Sequence, residues 1–133
     1  MSQITVIDNE YVTMTYYPDT KIVHHLFHQF IQGQHFRDAL DKGTELLLQH
    51  GAQKWLSDNR NRGALLPEDM EWTQTDWFPR TVQVGWKYWA LVMPEKIVGK
   101  MNMRQAVQAY TEKGIIVEVF ADPDEAMSWL ESL

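Results

Sequence analysis

The chain has 133 residues, of which 44% are hydrophobic, with six tryptophans, no cysteine and a formal net charge of −6. That length supports one domain with a real core, spanning residues 1–133, and the composition argues against disorder. The missing cysteines exclude disulfides, a thiolate nucleophile and a Cys-based zinc site, and the acidic balance makes nucleic acid a poor partner, because phosphate binding needs clustered Lys and Arg.

The first six residues, Met1 to Val6, lack the basic region and apolar run of a secretory signal, and no apolar run approaches the length of a bilayer span. A cytoplasmic protein without stable membrane insertion is expected. Ile4 to Ile7 adds a little extended structure. Residues 11–17 are β-branched and aromatic, which predicts a strand. Pro18, Asp19, Thr20 and Lys21 supply a turn, and residues 22–27 complete a hairpin. Phe36, Ala39, Leu40, Gly43 and Leu47 then recur at helix spacing, with Gly51 as the stop. Residues 53–57 form the next strand. A helix over residues 70–84 is entered through Pro67, with Glu68 and Asp69 in its first turn, and Pro79 should kink or split it.

Residues 87–93 read as a strand closed by Pro94. Asn102 and Gln105 resemble a capping box, ahead of an apolar stripe of Met103, Ala106, Val107 and Tyr110 that ends at Gly114. A strand over residues 115–120 follows. Asp122, Pro123, Asp124 and Glu125 then mark a helix start, and Ala126, Trp129, Leu130 and Leu133 line one helix face. The order is ββαβαβαβα, an α/β fold with a mixed sheet of about five strands and helices packed on it. Ligands of such sheets sit beyond the carboxyl ends of the parallel strands. Here those ends are Ser57-Asp58-Asn59, Met93-Pro94-Glu95 and Phe120-Ala121-Asp122.

This layout resembles the SpoIIAA-like (STAS-like) family of anti-sigma-factor-antagonist-type domains. The resemblance is carried by Tyr16-Tyr17-Pro18-Asp19 at the hairpin turn and Lys54-Trp55-Leu56-Ser57-Asp58 as the central strand. Trp77-Phe78-Pro79-Arg80 ahead of residues 86–92 adds to it, as does the closing Asp122-Pro123-Asp124-Glu125-Ala126. It implies a non-enzymatic regulatory or protein-interaction module. Regulatory members carry an Asp-Ser pair whose serine is phosphorylated at a helix start. This chain has Ser57-Asp58 in reverse order and then a longer loop, so the phosphoacceptor motif is not intact. The same architecture is shared with CRAL-TRIO lipid-binding domains. The alternative reading is therefore a domain for a small molecule or lipid, with a pocket between the Ser57–Arg62 loop, the kinked helix and the Met93–Glu95 turn.

Ser57, Asp58, Asn59, Arg60 and Arg62 are the candidate ligand or interaction residues, since arginine suits bidentate contact with carboxylate or phosphate. The bland reading of the loop is a solvated turn. Trp72 and Trp77 are five positions apart and cannot share one helical stripe. With Phe78 they predict a homodimer contact or a pocket lid; the bland reading turns both indoles inward. His24, His25 and His28 invite a metal reading, but on a strand His25 faces away from the other two, so no metal site is assigned. No nucleophile elbow or glycine-rich phosphate loop is present, so no catalytic residue and no cofactor are assigned. The expected partners are a second copy of the chain, a protein, or a small amphipathic ligand.

Overall fold

The computed structural model describes residues 2–133. Among these described residues, six strands form one mixed sheet whose spatial order, β1-β2-β3-β4-β5-β6, is also their order along the chain. β1 (Ile4–Asp8), β2 (Val12–Tyr17) and β3 (Ile22–Phe27) are an antiparallel meander. β4 (Lys54–Asp58), β5 (Tyr88–Val92) and β6 (Ile116–Phe120) then run parallel to β3. The α/β class agrees with the sequence reading. The strand count is six rather than about five, because residues 4–8 pair with β2 across an irregularity between Thr5 and Ile7.

The helices are α1 (Gly33–His50), α2 (Pro67–Trp72), α3 (Phe78–Gln83), α4 (Ile97–Glu112) and α5 (Pro123–Glu131). Each parallel strand lies beside its predecessor, so right-handed crossovers put α1, α2–α3 and α4 on one face. α5 follows the last strand and covers the other face, where Ala126 and Leu130 pack on Ile22, Leu56, Ala90 and Val92. Successive β4 side chains alternate between faces. Trp55 belongs to the larger core under α1–α4, and Leu56 to the smaller one under α5. Strands covered on both sides carry nearly continuous apolar runs, which is why Trp89 to Val92 is buried throughout.

The expected disruption at Pro79 takes the form of a π turn over Thr73–Trp77. The Phe78 N–H reaches back five residues to the Thr73 carbonyl, and this widening makes room for the Pro79 ring near the Thr75 carbonyl. Pro79 then lies in the first turn of α3, where a missing N–H costs little.

α4 begins at Ile97, more than a turn before the apparent capping box, so Asn102 lies inside the helix. Gly99 permits the early start. A Cβ there would come within 2.7 Å of the Gly63 carbonyl oxygen and 2.8 Å of the Pro94 Cβ. The α4 backbone therefore rests directly on the loop that follows β4. Among the described residues, no helix is long and apolar enough to cross a membrane.

Candidate functional site: a donor-rich cavity at the sheet end

A cavity of about 40 Å³ lies on the α1–α4 face beside the carboxyl ends of β3 and β4. Its floor is His25, Ser57 and Trp89, its walls come from α1 and the π turn, and α4 roofs it through Asn102, Met103, Ala106 and Tyr110. The more exposed lining residues, such as Met70, Gln74 and Asn102, put the mouth between the π turn and α4. Beneath the floor lies an aromatic block. Trp86 contacts Trp55, Trp77 and Trp89 at ring separations of 5.4–5.7 Å, and Phe78 stacks on Tyr110 at 4.0 Å.

Every buried indole N–H in that block is satisfied. Trp77 donates to the Leu40 carbonyl and the Thr44 hydroxyl, Trp86 to the Tyr88 carbonyl and Trp89 to Ser57 Oγ at 2.8 Å. Trp55 donates to His25 Nδ1 at 3.0 Å. That contact fixes a one-way chain. An indole N–H can only donate, so His25 Nδ1 must accept and the ring proton must sit on Nε2. Nε2–H then donates to Asn59 Oδ1 at 2.9 Å, which turns the Asn59 amide nitrogen toward Met103 Sδ, 3.7 Å away. Burial pushes the His25 pKa down to about 3, a fall the Asn59 hydrogen bond only partly offsets. His25 is thus a neutral positioning residue with both nitrogens engaged, unsuited to general-base chemistry.

A second amide is oriented the same way. The Leu65 N–H donates to Asn102 Oδ1 at 3.0 Å, so the Asn102 amide nitrogen is left with Met70 Sδ at 3.6 Å. The third donor is Arg62, only 4% exposed. Its Nη2 meets Met103 Sδ at 2.8 Å and its Nε meets the Gly63 carbonyl at 3.4 Å. Among the described residues no carboxylate pairs with it. Burial pushes its pKa down to about 10, and Tyr110 opposes that fall, so the guanidinium remains cationic at neutral pH. Burial also pushes the Tyr110 pKa up to about 12, against the pull of Thr73 and Arg62, so the phenol stays neutral.

The chain matches no protein-family model, no curated protein and no solved structure.

The structure separates the residues singled out from the sequence. Ser57, Asn59, Arg62 and Trp77 line the cavity together. Asp58 points to the α5 side and is held by Arg60 in a two-pronged ion pair, Nε–Oδ1 and Nη2–Oδ2 both at 2.9 Å. Those two residues satisfy each other away from the cavity. Trp77 and Phe78 are turned into the core, so they form no exposed contact surface. Trp72 is half-buried between Phe36 and the guanidinium groups of Arg37 and Arg80. Ser57 is buried on β4 and does not stand at a helix start. The Met93–Glu95 turn does not line the cavity; Met93 borders a separate open groove between α4 and β6.

His25, Met70, Asn102 and Met103 are the site residues that sequence reasoning passed over. His25 had a weak signal, a polar residue flanked on its own strand face by the buried apolar Val23 and Phe27. Asn102 resembled a cap, Met103 belonged to an apolar helix stripe, and Met70 carried no signal of its own.

Proposed function

We propose that this protein is a non-enzymatic small-molecule-binding domain that takes its ligand into the cavity beneath α4. The observation that carries this reading is the trio of donors, Arg62, Asn59 and Asn102, all facing methionine sulfurs. A thioether is a weak acceptor, and a buried donor without a good partner, as at Arg62 and Asn59, is costly, so the site is completed by a molecule that brings acceptors. Methionine side chains are flexible and yield readily to an incoming group. The apolar lining and a few convergent polar groups are the usual make-up of a small-molecule site. The engaged nitrogens of His25 favour binding over catalysis.

A fragment screen read by ¹H–¹⁵N NMR tests this reading. Small acceptor-bearing fragments are expected to shift the indole N–H signals of Trp77 and Trp89, whose rings line the cavity. The Trp129 indole, on the opposite face against Phe120, should stay in place. A screen in which no fragment moves Trp77 or Trp89 contradicts the reading.

A protein-interaction role of the SpoIIAA-like type is the second reading. It is favoured by Ile97, Val98 and Met101, which α4 leaves 75%, 59% and 56% exposed. Because α4 also roofs the cavity, an occupied cavity would set the position of that exposed surface.

A further inference from the structure

We infer that the ligand of this cavity is a small monocarboxylate with a short apolar body, bound through its carboxylate to Arg62, Asn59 and Asn102. The inference rests on the reading of the cavity as a ligand site and adds the ligand's class.

Charge comes first. Among the described residues that line the cavity, Arg62 is the sole charged one. A buried, unpaired cation is unfavourable, and one negative charge neutralises it. A dianion such as a phosphate monoester would leave one charge uncompensated in the same buried site. The neutral alternative, an alcohol or amide, would leave the guanidinium uncompensated. Charge balance therefore selects a monoanion.

Hydrogen-bond geometry comes second. Asn59 and Asn102 each spend their carbonyl oxygen on a protein donor, Asn59 on His25 and Asn102 on the Leu65 N–H. Each amide must therefore present its nitrogen to the interior. With Arg62 Nη2 this makes a set of donors facing only sulfur. A carboxylate is acceptor-only and planar, and it matches a guanidinium edge in a two-bond contact. Its oxygens offer enough lone pairs for the two amides as well.

Size and lining come third. A cavity of about 40 Å³ holds on the order of two or three waters before any side chain moves. Displacing Met70 and Met103 enlarges it. The rings of Phe27, Phe36, Trp77 and Trp86 then face whatever extends from the carboxylate. A short alkyl or single-ring body fits that space, and a charged or polyhydroxylated one does not.

The test is a titration of the full chain at pH 7 with butyrate, hexanoate and benzoate against butyramide, hexanamide and benzamide, with phenyl phosphate as the dianion. Binding is read by tryptophan fluorescence and by the shift in melting temperature. At least one acid should bind ten-fold or more tightly than its amide, with phenyl phosphate weaker than benzoate. Arg62→Met should abolish the acid-over-amide preference while leaving the unliganded protein as stable as before or more so, since it removes a buried unpaired charge. Asn102→Leu, which keeps the arginine, should weaken acid binding several-fold and serves as the second variant if Arg62→Met does not fold. Amides that bind as well as acids overturn the carboxylate assignment and leave the ligand-site reading standing. An acid preference that persists in Arg62→Met, or a failure of every acid to bind, also overturns the assignment.

Discussion

Alanine at Gly43 will destabilise the protein by about 3 kcal/mol, a large effect for one added carbon. Gly43 lies in α1 where the helix crosses the Trp55 indole. A Cβ there would overlap the six-membered ring, with Cζ2 and Cζ3 at 2.6 and 2.8 Å. The usual relief, a swing of the side chain, is closed to Trp55. It is 1% exposed, packs against Trp77 and Trp86, and is tied through its N–H to His25. The strain must then pass to the α1 backbone or break the Trp55–His25–Asn59 chain. Chemical denaturation of the variant should show a lower midpoint with little change in slope. A loss below about 0.5 kcal/mol, the level of an ordinary surface substitution, would mean that Trp55 does not hold this position.

Acidification is the second large effect. His25 titrates near 6.5 when unfolded and near 3 when folded. Below pH 6.5 the unfolded chain takes up a proton that the folded protein refuses. Stability from this group is therefore complete above pH 6.5 and falls by about 1.4 kcal/mol per unit as the pH drops toward 3. Between pH 7 and pH 5 the loss is about 2 kcal/mol. His24, also lowered by burial, adds a slope of the same sign. Urea unfolding at pH 7, 6 and 5 should show the decline. His25→Gln, which can still accept from Trp55 and donate to Asn59, should flatten it by about one proton's worth. An unchanged slope in that variant would place His25 in water, contrary to the structure.

Much of the fold is legible in the sequence because its local signals agree with its tertiary ones. The β-branched hairpin, the Gly51 stop and the Asp122 cap, which accepts from the Asp124 N–H at 2.8 Å, all stand where their chemistry puts them. The candidate site is legible only in part. The polar run after β4 marks the right end of the sheet, but a run of polar residues does not say which way each one points. Strand alternation and the turn at Asn59 send Asp58 to one side and Asn59 to the other, and the turn then buries Arg62 while Arg60 folds back on Asp58. Asn102 is hidden by a similar ambiguity. A polar residue ahead of an apolar stripe suits a helix start, and only the close fit of Gly99 on Gly63 carries α4 past it. Met103 reads as part of an apolar stripe because its role depends on which donors meet its sulfur. That is a long-range fact, with Arg62 and Met103 separated by 41 positions.

A high-resolution crystal structure of the protein grown with benzoate or hexanoate tests the carboxylate assignment most directly. The expected result is a carboxylate within hydrogen-bond distance of the Arg62 guanidinium and of the Asn59 and Asn102 amide nitrogens, with the Met70 and Met103 sulfurs displaced and the apolar body against Trp77 and Trp86. A cavity filled by the protein's own side chains, or an Arg62 paired with one of the protein's own carboxylates, would contradict it.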